Sequence, residues 1–381
     1  MPYSLLTPGQ TVFGADALES CREALCSFGK KPLIVTSSGM DKMPAFTKLT
    51  AMLGDTPHAV FTDIPAEPDD AMVLAGTAAY RQAGCDCVIG IGGGSALDSA
   101  KAIAASSVLP NDICSYAGQE IVADVPPLAL IPTTAGTGSE ATKFIVITQS
   151  GTNAKLLLKG DVLLPKLAIV DYTLTASMPA KLTAYTGMDT LTHAVEAYTS
   201  KKANPLCDPY AIDAVKRCFE SLPTAYHDGG SLKDRESMAL AAFEAGVCIC
   251  NASVTIVHGM SRPIGAKFHV PHGLSNAMLL APCLAFAAEG APERFARLSR
   301  AVGFATDAQP DAEAAQALID KLKQISKVLE IPTPGEYGIA KEDFLGMAGQ
   351  MAAEALQSGS PANTLRPVTS ADIVSIYQSL Y

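Results

Sequence analysis

Two hydrophobic rhythms divide the chain. From about residue 30 to about residue 180, short β-branched runs alternate with stretches of helical period. P-L-I-V-T from Pro32, H-A-V-F-T-D-I from His58 and C-D-C-V-I-G-I from Cys85 read as strands. D-K-M-P-A-F-T-K-L-T-A-M-L and D-D-A-M-V-L-A-G-T-A-A-Y-R-Q-A-G read as the helices between them. Further strand-like runs follow at P-L-A-L-I-P, F-I-V-I-T and L-A-I-V-D. Such alternation predicts βαβ units and a parallel sheet. Beyond about residue 180 the runs are helical almost throughout, as in P-E-R-F-A-R-L-S-R-A-V-G. The expected organisation is an α/β domain over 1–180 and an all-α domain over 181–381, with the S-M-P-A turn at Ser177 as the hinge.

Composition narrows the function classes. A chain of 381 residues that is 48% hydrophobic can bury the cores of about two domains. The net charge of −10, with no lysine or arginine cluster longer than a dipeptide, argues against nucleic acid and anionic membranes and toward small-molecule partners. The ten cysteines are scattered, and Cys85/Cys87 and Cys248/Cys250 are C-x-C steps in apolar stretches, so they read as reduced, buried thiols rather than a zinc or redox motif. No signal peptide pattern opens the chain, and the longest apolar run, Ala277 to Ala288, is too short for a bilayer and contains Pro282. A soluble, cytoplasmic protein is the expectation.

The candidate chemistry lies in the helical half. Asp189 and His193 stand four apart in T-G-M-D-T-L-T-H-A-V-E-A-Y, on one face of a helix one turn apart. Alone, such a pair is as compatible with a hydrogen-bonded helix surface as with a metal grip. His258 ends an apolar run, where a lone histidine is more often a satisfied core residue than a ligand. His272 sits between Pro271 and Gly273, a tight backbone setting that fixes where its ring points. Together the four would suit a divalent ion, Fe²⁺, Zn²⁺ or Mn²⁺, with a position left open for a substrate oxygen.

Two glycine-rich segments follow predicted strands. In C-V-I-G-I-G-G-G-S-A-L-D-S-A-K, Gly92, Gly93 and Gly94 let backbone N–H groups approach an anion, and Ser95 with Asp98 forms a capping pattern for a helix start, a setting for a diphosphate. The plain alternative is a strand-to-helix turn. In L-A-L-I-P-T-T-A-G-T-G-S-E, Thr133, Thr134, Thr137 and Ser139 place hydroxyls at a strand's carboxyl end.

Read in order, G-G-G-S-A-L-D-S-A-K, P-T-T-A-G-T-G-S-E, G-M-D-T-L-T-H-A-V-E-A-Y and H-G-M-S-R-P-I-G-A-K-F-H-V-P-H-G resemble the iron-containing (group III) alcohol dehydrogenases. The resemblance implies a Rossmann-like nucleotide domain, a helical metal-binding domain, commonly a homodimer, and hydride exchange between NAD(P)H and an aldehyde/alcohol pair. It implies Asp189, His193, His258 and His272 as metal ligands, Gly92, Gly93, Gly94 and Ser95 on the diphosphate, and Asp98, Thr133, Thr134, Thr137 and Lys155 along the nicotinamide half. Family members that prefer NAD often carry Asp at the end of the second strand. Here Thr36, Ser37 and Ser38 stand there, so Ser37 faces the adenosine ribose, NADP is not excluded by charge, and the lean is toward NAD with activity on both.

A second departure is Arg262, where many relatives have histidine. One helical turn past His258, it would hold an anionic substrate tail such as the sulfonate of sulfoacetaldehyde or the carboxylate of succinic semialdehyde, or else pair with a nearby carboxylate or the cofactor phosphates. The competing readings are a general short-chain aldehyde reductase of the lactaldehyde or butanol type, a glycerol dehydrogenase or dehydroquinate synthase relative, and a non-catalytic nucleotide- or metal-binding protein.

Overall fold

The computed structural model describes residues 2–65, 68–152 and 154–381. Its contacts divide the chain into Leu6–Met178 and a second unit of Met1–Leu5 with Pro179–Tyr381.

The first unit runs β1 (Gln10–Phe13), α1 (Ala17–Ser20), α2 (Arg22–Cys26), β2 (Pro32–Val35), α3 (Pro44–Leu53), β3 (Ala59–Phe61), α4 (Asp70–Ala83), β4 (Cys87–Gly92), α5 (Gly94–Ser106), β5 (Leu128–Pro132), β6 (Phe144–Gln149), β7 (Ala154–Lys159) and β8 (Leu167–Val170). Six strands form one parallel sheet in the order β1-β8-β5-β4-β2-β3. Both faces are covered, which is why the central strands are continuous apolar runs rather than alternating ones. Leu33, Val35, Val88 and Leu130 pack with α4 and α5, while Ile34, Ile89, Ile91 and Ile131 pack with α1 and α3. The chain goes from β2 outward to β3, then returns to lay β4 on the other side of β2. The strand order therefore reverses between β2 and β4, and the crevice beyond their carboxyl ends is where such sheets bind ligands. Thr36 and Ser37 follow β2, and Gly92–Gly94 follow or close β4.

Two expectations are corrected here. F-I-V-I-T is not in the parallel sheet: it is β6, paired antiparallel with β7 in a separate two-stranded hairpin. Ile145, Ile147 and Leu158 are buried while Val146 and Leu157 are exposed, the one-sided burial of an antiparallel ribbon. The cysteines are free, but Cys26 and Cys114 are only half-buried.

The second unit is helical: α6 (Ala180–Tyr198), α7 (Asp208–His227), α8 (Leu232–Ala252), α9 (Ile256–Phe268), α10 (His272–Glu289), α11 (Pro292–Ala301), α12 (Asp311–Val328), α13 (Lys341–Gln357) and α14 (Ser370–Gln378). The buried α6 packs against α7, α8 and α10. Its approach to α7 is close, since a Cβ on Gly187 would stand 2.3 Å from Leu222 Cδ1. Helices α8 and α9 meet at a 105° bend through Ser253, which takes a φ of 65°. No single helix among the described residues is long and apolar enough to cross a membrane.

Candidate metal centre and nucleotide loops

Three elements of the helical unit bring the four candidate ligand side chains together. Asp189 and His193 lie one turn apart on α6, His258 is in the first turn of α9 after the bend, and His272 is the first residue of α10. The last placement depends on Gly273, where a Cβ would come within 2.3 Å of the Tyr185 carbonyl oxygen of α6. Only glycine lets α10 begin against that backbone.

The result is a carboxylate ringed by imidazoles. Asp189 Oδ1 lies 3.6 Å from His193 Nε2, 3.6 Å from His258 Nε2 and 3.8 Å from His272 Nε2. Asp189, His258 and His272 each offer a ligand atom within 4.8 Å of the others, and His193 joins through Asp189 while its ring stacks on His258 at 4.6 Å between centroids. Asp189, His193 and His258 are buried, whereas about half of the His272 side chain, 49%, is exposed, so the cluster is open on that side. Burial works to raise the Asp189 pKa, but the neighbouring His193, His272 and His258 outweigh it and hold the carboxyl below the usual range. A buried carboxylate kept ionised beside three converging Nε2 atoms is a donor set that fits a divalent ion.

Two residues essential to this geometry were not singled out from the sequence. Asn276, one turn after His272, directs Nδ2 into the centre of the cluster, 2.7 Å from Asp189 Oδ1, 3.1 Å from His258 Nε2 and 3.2 Å from His272 Nε2. Its buried Oδ1 finds no hydrogen-bond partner among the described residues. Glu196, wholly buried on α6, accepts from His258 Nδ1 at 2.5 Å. His258 is thus a satisfied core histidine and a member of the cluster at once. The one sequence signal was the position of Glu196, three residues beyond His193 and close to that histidine's helical face.

Arg262 follows on α9. Its Nη1 donates to Ser360 Oγ at 3.1 Å, and among the described residues no carboxylate lies within 4.0 Å of its guanidinium, so the expected alternative of a carboxylate pair is not what the structure contains. Burial draws its pKa below the ordinary value, partly offset by the charge of Glu196.

In the α/β unit the two glycine-rich segments are neighbours. A Cβ on Gly93 would meet Thr134 Cγ2 at 3.5 Å, and one on Gly94 would meet Thr137 Cγ2 at 2.6 Å. Thr133 N donates to Gly92 O at 2.9 Å, joining the loops after β4 and β5, and Thr36 Oγ1 donates to Ile91 O at 2.7 Å, tying in the end of β2. The expected Ser95–Asp98 cap is corrected: α5 starts a residue earlier, with Gly93 as its N-cap. Asp98 instead accepts from Ser139 Oγ at 2.6 Å and from Val146 N at 2.9 Å, so it braces the second loop and the hairpin. Lys155 lies on β7, half-buried, opposite Thr148. The sequence reading passed over Lys101, fully buried, whose Nζ donates to Ser139 O, Thr142 O, Thr142 Oγ1 and Phe144 O at 2.6–3.1 Å. It also passed over Glu140, whose buried carboxyl is pushed up to about 7 by burial despite the nearby Lys101 charge.

Comparison with known proteins agrees with this geometry. Residues 8–172 match the family model of iron-containing alcohol dehydrogenases, and residues 183–381 match that of the C-terminal region of the same family. The chain is 35% identical to a 1,3-propanediol dehydrogenase of Citrobacter freundii, over 100% of this chain and 99% of the relative. It is 32% identical to an NADPH-dependent butanol dehydrogenase of Clostridium saccharobutylicum, over 98% and 97%. The crystal structure of a 1,3-propanediol oxidoreductase superposes over all of both chains with a TM-score of 0.94 at 33% identity. That of a sulfoacetaldehyde reductase from Bifidobacterium kashiwanohense in complex with NAD⁺ covers 100% of this chain and 99% of its own with a TM-score of 0.89 at 27% identity. The chain belongs to the iron-containing alcohol dehydrogenase family and is an alcohol dehydrogenase.

Proposed function

We propose that the protein interconverts a short aldehyde and its alcohol with a nicotinamide cofactor, that Asp189, His193, His258 and His272 hold the metal, and that Arg262 binds an anionic tail on the substrate. The observation that carries the metal assignment is the convergence of three imidazole Nε2 atoms on one ionised, buried carboxylate oxygen. When bound, a divalent ion supplies electrophilic polarisation of the substrate oxygen and the nicotinamide supplies or accepts the hydride.

The residues divide the remaining work. Asp189 brings one negative charge among three imidazoles, a set that accepts Fe²⁺, Zn²⁺ or Mn²⁺, with Fe²⁺ favoured by the family rather than by the donors. Gly92, Gly93, Gly94 and Ser95 present backbone N–H groups at the start of α5 to the diphosphate. Thr133, Thr134 and Thr137 line the nicotinamide half, with Asp98 holding their loop and Lys155 placed on the neighbouring hairpin. Ser37 takes the adenosine ribose. With Thr36, Ser37 and Ser38 after β2 and no carboxylate among them, NADP is not repelled there, and activity with both cofactors is expected with NAD slightly favoured.

Arg262 carries the substrate reading because a half-buried guanidinium with a hydroxyl as its hydrogen-bond partner and no carboxylate within 4.0 Å among the described residues leaves donors for an anion. The test is initial rates of NADH and NADPH oxidation by anaerobically Fe²⁺-loaded protein. Propanal and butanal are compared with succinic semialdehyde and sulfoacetaldehyde. The expected result is higher kcat/KM for the charged aldehydes, and an Arg262→Ala variant whose KM rises about tenfold or more for them alone. Equal losses on charged and neutral aldehydes would make Arg262 structural and the protein a general short-chain aldehyde reductase.

A further inference from the structure

Glu196 is the most deeply buried anion beside the ligand cluster, and nothing in the reaction itself calls for it. Its side chain is fully enclosed on α6, and both of its oxygens are engaged. Oε1 accepts from Thr255 Oγ1 and from Val257 N, each at 2.7 Å, and Oε2 accepts from His258 Nδ1 at 2.5 Å. All three donors come from the turn after the α8–α9 bend and the first residues of α9. The opposite ring nitrogen, His258 Nε2, is the one that faces Asp189. An imidazole can ligate a metal only through a nitrogen free of its proton, and the hydrogen bond at one nitrogen decides which that is.

We infer that Glu196 is a positioning residue that fixes the tautomer and ring orientation of His258, keeping the proton on Nδ1 so that the Nε2 lone pair is turned to the metal. The inference rests on the reading of His258 as a ligand. Thr255 Oγ1 and Val257 N fix the carboxylate in turn: they clamp Oε1, so Oε2 has one direction left, toward Nδ1. A purely structural strap between α6 and α9 would need only an acceptor of the right size. A tautomer-setting residue needs an acceptor, with no donor, against Nδ1.

Glu196→Gln separates the two. The amide is the same size, and its oxygen is drawn to the pair of donors at Thr255 and Val257. Its NH₂ then points at Nδ1, which must accept, and the proton moves to Nε2 on the metal side. The histidine becomes a donor where a ligand is required. Glu196→Asp, a shorter carboxylate, keeps an acceptor against Nδ1.

The experiment is a competition titration of Co²⁺ against a chromophoric chelator, on apoprotein of wild type, Glu196→Gln, Glu196→Asp and His258→Ala, with thermal unfolding of each apoprotein. The expected result is Co²⁺ affinity about 10- to 100-fold weaker in Glu196→Gln, a smaller loss in Glu196→Asp, and an apoprotein melting point for Glu196→Gln within a few degrees of wild type. If Glu196→Gln binds Co²⁺ as tightly as wild type while His258→Ala does not, the positioning role is overturned and the ligand assignment stands. If Glu196→Asp loses as much as Glu196→Gln, the shape of the strap matters rather than the chemistry of its acceptor, and the positioning role is again overturned. If His258→Ala binds Co²⁺ like wild type, the ligand reading itself falls and takes this role with it.

Discussion

Each unit buries a charged side chain beside its proposed chemistry, and the two are opposite in sign and in support. In the α/β unit Lys101 is a cation whose hydrogen bonds go to oxygens of the backbone and one threonine of the segment Ser139–Phe144, with Asp98 Oδ1 at 4.0 Å. In the helical unit Glu196 is an anion among a hydroxyl, a backbone N–H and an imidazole. Backbone carbonyls hold a loop in place whatever side chains it carries, so Lys101 fixes the path of the Ser139–Phe144 segment. An imidazole passes the influence of its partner to its far nitrogen, so Glu196 reaches the reactive atoms through His258. The buried cation supports a fold feature, and the buried anion supports a chemical state.

The largest expected effect is in the helical unit. His193→Ala should lower kcat/KM by about a thousandfold or more with bound NADH unaffected, because it removes one proposed ligand of four and leaves the residues of the nucleotide loops unaltered. Loss of NADH binding, measured by quenching of its fluorescence, would erase the separation between the units' roles.

Lys101→Met tests the other ion. It removes a donor from three backbone carbonyls in a buried site, of which Ser139 O keeps Thr142 N, and should destabilise the protein by about 3 kcal/mol, lowering the melting point and weakening NADH binding. A variant that melts with wild type would show those oxygens satisfied without the ammonium.

Glu140 sharpens the point with pH. Its folded pKa of about 7 lies above the ordinary 4.5, so the folded state holds a proton that the unfolded chain loses first. Its burial therefore costs nothing below about pH 4.5, costs more as pH rises to 7, and reaches a plateau of up to about 3 kcal/mol above that. Glu140→Gln should remove this slope, making the variant more stable than wild type at pH 8 but not at pH 4. Parallel stability curves for the two proteins would contradict it.

The smallest effect belongs to Gly273→Ala. A methyl group 2.3 Å from the Tyr185 carbonyl forces the start of α10 outward, and His272 with it, so metal affinity should fall about tenfold while nucleotide affinity holds. An unchanged chelator competition would show that α6 yields instead.

What was legible in the chain followed periodicity and spacing. Five of the six strands of the parallel sheet, the helical half, the D-x-x-x-H pair and the glycine loops could be read because each has a local repeat or a local shape requirement, whereas the edge strand β1 was not read. The β6–β7 hairpin was missed for a visible reason: β7 is A-K-L-L-L-K, with lysine near both ends, and β6 alternates buried with exposed positions where β4 is buried throughout. Ser95 was misplaced as a cap because the third glycine lets α5 start one residue early, against Thr137. Asn276, Glu196 and Lys101 looked like ordinary helix residues. Their importance comes mainly from distant partners, 18 and 87 positions away for Asn276, 59 to 62 for Glu196 and 38 to 43 for Lys101, and no local pattern records those.

The central claim is that Asp189 and its three histidines form one metal site on which turnover depends, apart from the nucleotide loops. Elemental analysis of Fe²⁺-loaded wild type and Asp189→Ala, with NADH binding measured on the same samples, tests it most directly. The account predicts about one metal per chain in wild type, none held by the variant, and NADH bound equally by both. Equal metal in both proteins, or loss of NADH binding along with the metal, would contradict it.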